Sequence, residues 1–85
     1  MNPQEIIRIF KESGALLEGH FIYASGRHGR QFLQAARVFQ YPEYGEAFGQ
    51  ALAAAFQDKD IDLVVGPATG GIVIAYETAR HLKCR

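Results

Sequence analysis

Residues 63 to 79 read LVVGPATGGIVIAYETA, an apolar run joined to a helix-patterned stretch through Gly66-Pro67-Ala68-Thr69-Gly70-Gly71. Ile61, Leu63, Val64 and Val65 make a short run, rich in β-branched residues, of the kind buried in a parallel sheet. From Ile72 to Leu82, Ala75, Ala79 and Leu82 recur on one face of a helix. Strand, glycine turn and helix in that order make a pocket for an anion, because a helix start presents unpaired N–H groups and the positive end of its dipole. The turn also falls at the carboxyl end of the strand, where open α/β sheets bind ligands. Two familiar nucleotide motifs are excluded: no lysine follows the glycines as a P-loop requires, and Gly66, Gly70 and Gly71 do not have the GxGxxG spacing. Tight turn geometry is the competing explanation for the glycines.

On the N-terminal side, Asn2-Pro3 has the form of an N-cap followed by proline at the first helical position, and Ile6, Ile7 and Phe10 follow at helical spacing. A short helix is expected from about Pro3 to Ser13, closed by Gly14. HFIYASGRHGRQFLQAARVF, residues 20 to 39, reads as a hairpin in which Ser25 to Arg30 form a polar, glycine-containing loop. Pro42 then opens a second helix whose Tyr44, Phe48, Ala51, Leu52, Ala55 and Phe56 follow the 3.6-residue period, until QDKDID, residues 57 to 62, ends it. No repeat or linker divides the chain. The expected fold is α/β, with residues 1–40 as helix and hairpin and residues 41–85 as the start of a parallel-sheet core. A parallel strand needs neighbours, so further βα units or another chain are expected to complete that sheet.

The composition narrows the function classes. Nine Lys plus Arg balance nine Asp plus Glu, so no global field draws in nucleic acid or an anionic membrane, and any anion site must be local. The lone Cys84 cannot form an internal disulfide and no secretory leader is evident, which points to a reducing, cytoplasmic home. The longest apolar stretch falls well short of the roughly 20 residues a membrane-spanning helix needs.

ALLEGHFIYASGRHGRQFLQAARVFQYPEY, residues 15 to 44, followed by IDLVVGPATGGIVIAYETARHL, residues 61 to 82, resembles the N-terminal part of bacterial orotate phosphoribosyltransferase, a type I phosphoribosyltransferase. The resemblance implies a Rossmann-like core preceded by a helix-and-hairpin hood. It implies transfer of phosphoribosyl from phosphoribosyl pyrophosphate (PRPP) to orotate, giving orotidine 5′-monophosphate and pyrophosphate in pyrimidine biosynthesis. The resemblance further implies Mg²⁺ accompanying PRPP and a homodimer. By the same resemblance Ala68, Thr69, Gly70 and Gly71 hold the pyrophosphate, in a loop where a non-proline cis peptide occurs, and Phe32 and Leu33 line the orotate ring.

The sequence also departs from the family pattern. A lysine that many relatives carry before the Ser-Gly pair is replaced by Ala24, and neither the acidic pair with its Thr/Gly loop nor the mobile basic loop is found. The chain therefore reads as a fragment or shortened gene with little or no activity alone. Arg27, His28 and Arg30 form the densest cationic cluster, suited to phosphate contact or simply to solvation at a hairpin tip. His28 has no orienting carboxylate nearby in sequence, and His20 and His81 have no metal-ligand partners at useful spacing, so no catalytic base and no zinc site are assigned. Tyr41, Tyr44 and Tyr76 read as packing or interface residues. The rival to the enzyme reading is a non-catalytic α/β module that binds an anion or a partner through the same turn.

Overall fold

Asn2 starts the first helix as its sequence predicts: in the computed structural model its Oδ1 accepts from the Glu5 N–H at 2.8 Å, and Pro3 opens α1 (Pro3–Glu12). The helix closes in a Schellman motif, with Gly14 at φ 76° and the Ala15 N–H donating to the Phe10 carbonyl at 2.9 Å. All 85 residues are described, and they divide into two compact units, Met1–Val38 and Phe39–Arg85.

In the first unit, β1 (Leu16–Ile22) and β2 (His28–Leu33) form a two-stranded antiparallel sheet. Leu16 pairs with Leu33 and Glu18 with Gln31, but Phe21 pairs with Gly29, so β1 carries one residue more than β2 in between. That is a β-bulge. The loop is shorter than the sequence suggests: His28, Gly29 and Arg30 lie on β2, because the Tyr23 N–H bonds the Arg27 carbonyl at 2.8 Å and closes the ladder early. Tyr23 lies across β2, its hydroxyl donating to the Gln31 carbonyl. A Cβ on Gly29 would collide with the Tyr23 ring, which explains the glycine. Ile9 and Ala15 are buried, whereas Ile7 from the expected apolar face is exposed.

The second unit contains α2 (Pro42–Phe56) and α3 (Gly70–Leu82), packed against each other. Their contact runs along Gly45, Gly49 and Ala53, the buried residues of α2, rather than along the aromatic and leucine positions that the period highlighted. Leu52 and Phe56 stay exposed. The small residues win because they let the backbones approach: a Cβ on Gly49 would lie 2.7 Å from the Glu77 carbonyl carbon and 3.0 Å from the Thr78 nitrogen. A 3-10 helix, Ala35–Gln40, precedes α2.

The expected strand from Ile61 to Val65 is not a strand of any sheet here, since the only ladder joins β1 to β2. A strand exists by virtue of its partner, and this segment has one partner residue. The Val64 N–H donates to the Arg85 carbonyl at 2.6 Å and the Arg85 N–H to the Asp62 carbonyl at 3.4 Å. Those two bonds are the pattern of one parallel bridge, with Arg85 opposite Leu63 across the α3 connection. The reversal after α3 is made by Lys83 in the left-handed region at φ 58°, with the Cys84 N–H bonding the Ala79 carbonyl at 3.1 Å.

Candidate substrate-binding sites

The glycine turn differs from its sequence reading in two ways. Helix α3 begins at Gly70, not Ile72, so Gly70 and Gly71 form its first turn and Thr69 is the N-cap residue. Thr69 makes no side-chain capping bond; its carbonyl accepts from the Ile72 N–H at 3.1 Å, which leaves the N–H groups of Gly70 and Gly71 to solvent or to a ligand. No acidic residue sits in that turn to oppose an anion. Ala68 and Thr69 are exposed, and the peptide bond between them is cis.

The glycines themselves serve the turn's own closure. None of the three has a positive φ. A Cβ on Gly71 would strike the Pro67 ring, and one on Gly66 would strike the Gly71 carbonyl and come within 2.9 Å of the Ala75 Cβ. Bare α-carbons at 66 and 71 therefore let the segment fold back onto the first turns of α3, as the third glycine of the dinucleotide-binding turn does for its own helix and strand. An open groove of about 350 Å³ adjoins the turn, lined by Leu52, Phe56, Leu63, Val65, Ile74 and Leu82 among others. Its lining is mostly apolar, so it suits a phosphate poorly.

On the hairpin, Phe32 and Leu33 are consecutive residues of β2, 39% and 48% exposed. Successive strand side chains point to opposite faces, so one ligand face meets one of the two side chains and only the backbone of the other. The Phe32 ring has a neighbour that the sequence reading did not single out: Phe21, centroid to centroid 5.7 Å and tilted 31°. The bulge between Glu18 and Phe21 breaks the alternation from which that contact would otherwise be read. Arg27 lies at the end of the loop, while Arg30 is on β2 beside Glu18, His20, Tyr23 and Gln31. Neither guanidinium is in an ion pair; those of the chain are Arg8–Glu12 at 3.0 Å and Glu77–Arg80 at 3.3 Å.

His20 has a partner that spacing did not reveal. Its Nε2 lies 3.0 Å from Nδ1 of His28 across the hairpin. No group of three or more His, Cys, Asp or Glu side chains is placed to hold a metal ion. Tyr41 and Tyr44 pack on each other at 5.4 Å, and Tyr76 is exposed with the Arg80 guanidinium 5.6 Å over its ring. No helix is long and apolar enough to cross a membrane.

No family model matches the chain. Over all 85 residues it is 48% identical to orotate phosphoribosyltransferase of Caldicellulosiruptor saccharolyticus, of which it covers 44%. It is 46% identical over 85 residues to the protein of the same name from Thermoanaerobacter sp., covering 45% of it. Over 80 residues, 94% of the chain, it is 48% identical to that of Thermotoga maritima and covers 43% of it. The matched part is the N-terminal one, so the chain spans somewhat less than half the length of these curated relatives.

Proposed function

We propose that this chain, which matches the N-terminal part of orotate phosphoribosyltransferases throughout its length, supplies the diphosphate-binding turn and base-binding hairpin of that enzyme. The observation that carries the reading is the uncapped start of α3 directly after the Gly66–Thr69 turn.

Phosphoribosyl transfer breaks the bond between C1′ of PRPP and its diphosphate. Positive charge develops on the ribose and negative charge on the leaving group, and the orotate nitrogen takes the place of the diphosphate at C1′. The chemistry needs no covalent nucleophile from the protein. It needs fixed donors aimed where the negative charge accumulates, and amides held in a turn and a helix start do not reorganise as the charge grows. Thr69, Gly70 and Gly71 fill this role, with the exposed Ala68 at the rim. Phe32 offers a flat apolar face to the pyrimidine, and the backbone N–H and C=O groups of the Phe32–Leu33 pair suit its polar edges. Arg27 and Arg30, free of ion pairs, are the cations available to a phosphate in place of the lysine replaced by Ala24. Mg²⁺ is assigned to the diphosphate it accompanies, since that ion is held largely by substrate phosphates and water. A cytoplasmic homodimer completes this reading.

The test places a charge at the rim. Ala68 is exposed, so Ala68→Asp leaves the fold intact while setting a carboxylate beside the bound anion. Calorimetric titration with magnesium pyrophosphate is expected to show at least roughly ten-fold weaker binding for the variant, since like unit charges about 4 Å apart repel by about 1 kcal/mol in bulk water and about 4 kcal/mol near a protein surface. Thr69→Ala, which removes no capping bond, is expected to bind like the parent. Equal affinity of Ala68→Asp and the parent would refute the assignment. A second reading, anion binding by these 85 residues without transfer, rests on the same helix start. Pyrophosphate binding without orotidine 5′-monophosphate formation from orotate and PRPP would establish it.

A further inference from the structure

We infer that His20 and His28 form a two-nitrogen site on the hairpin for a late first-row divalent cation: Cu²⁺, Ni²⁺ or Zn²⁺. The two residues are eight apart in sequence and lie on opposite strands, where the turn and the extra residue between Glu18 and Phe21 bring their rings together. Nδ1 of His28 and Nε2 of His20 are 3.0 Å apart, with ring centroids at 4.9 Å and planes at 74°. With metal–nitrogen bonds of about 2.0 to 2.1 Å, adjacent ligands stand about 2.9 Å apart at a right angle and about 3.4 Å apart at the tetrahedral angle. The observed separation falls inside that range.

Both histidines are exposed, so an ion reaches them without the protein opening, and water fills its remaining positions. In the metal-free contact one ring donates an N–H to the other ring's nitrogen. To ligate, the donating ring moves its proton to its other nitrogen, Nε2 in His28 or Nδ1 in His20, a change of tautomer with no net proton loss, and the rings turn so that both lone pairs meet at the ion. Paired neutral imidazoles suit Cu²⁺, Ni²⁺ and Zn²⁺ and not the oxygen-seeking Mg²⁺ or Ca²⁺. The site is thus chemically separate from the diphosphate and its Mg²⁺. Glu18, in the same groove as His20, offers a carboxylate to the cation's charge, against the opposing Arg30. His81 is the internal control: a single imidazole, its Nδ1 2.9 Å from the Glu77 carbonyl oxygen.

The experiment titrates the 85-residue chain separately with Cu²⁺, Ni²⁺ and Zn²⁺ in a non-coordinating buffer, using calorimetry and the histidine ring signals in NMR. One ion per chain is expected, tightest for Cu²⁺, and Zn²⁺ is expected to shift the His20 and His28 ring signals together. His20→Gln and His28→Gln are each expected to weaken binding by at least roughly ten-fold, because a second ligand already held at the site acts at high effective concentration. The double variant should lose little more, and His81→Gln should bind like the parent. Circular dichroism checks that the variants fold. Parental affinity in either His20→Gln or His28→Gln, a loss in His81→Gln, or a Zn²⁺-induced shift of only one hairpin histidine would overturn the proposal.

Discussion

The line of small residues between α2 and α3 predicts opposite signs for one substitution made at two of its positions. At Gly49 an added methyl would meet the Glu77 Cβ at 2.5 Å, the Glu77 carbonyl carbon at 2.7 Å and the Thr78 nitrogen at 3.0 Å. Carbon atoms rest about 3.5 to 4.0 Å apart, and two of these obstacles are backbone that no rotamer change removes. The helices must therefore part by roughly 1 Å, and overpacking of this kind costs about 1 to 3 kcal/mol. The helical preference of alanine over glycine returns about 1 kcal/mol of that. Gly49→Ala is expected to destabilise the protein by about 1 kcal/mol on balance. At Gly45 the same methyl would meet Val73 at 3.5 Å and Phe39 at 3.8 Å, ordinary contact distances. Gly45→Ala is expected to keep its conformational gain and to stabilise by about 0.5 to 1 kcal/mol. Urea unfolding followed by far-UV circular dichroism measures both. If Gly49→Ala proves as stable as Gly45→Ala, the backbone-limited packing of these helices is refuted.

Two further predictions concern helix ends. Lys83 occupies the left-handed region at φ 58°, so Lys83→Gly is expected to stabilise the protein by about 1 kcal/mol, seen as a higher urea midpoint. An unchanged or lower midpoint would argue against the reversal after α3. Asn2→Ala removes the acceptor of the Glu5 N–H and is expected to cost about 1 kcal/mol, while Asn2→Ser is expected to retain most of the stability. Equal loss in both variants would show that the cap is not what the side chain contributes.

The legible parts of the fold are those set by local chemistry. Asn2-Pro3, Gly14 and Pro42 each act within one or two turns of backbone, and α1 and α2 begin and end close to where these residues place them. The illegible parts depend on distant atoms. Periodicity marks which residues are apolar on α2, but the packed line is Gly45, Gly49 and Ala53, because the approach of α3 rewards missing side chains over large ones. The apolar run at 61–65 reads as a strand, yet strand identity lies in a partner, and Arg85 is the one residue that lies alongside it in a strand-like pairing here. On the hairpin, the family resemblance singles out Phe32 and Leu33, whereas the Phe21 contact and the His20–His28 pair follow from a bulge that no residue pattern announces. The glycines of the turn were legible as important, and the structure adds that two of them relieve collisions within the turn.

The 61–65 segment has a consequence for how the protein behaves in a tube. Leu63 and Val65 are 62% and 82% exposed, and only the amides around Leu63 are engaged by Arg85. An oily ribbon with spare main-chain donors and acceptors is adhesive toward any extended polypeptide. Concentrating this chain will therefore favour clumping, and additives that wet greasy surfaces will do more to keep it dispersed than changes in ionic strength, since its charges already balance.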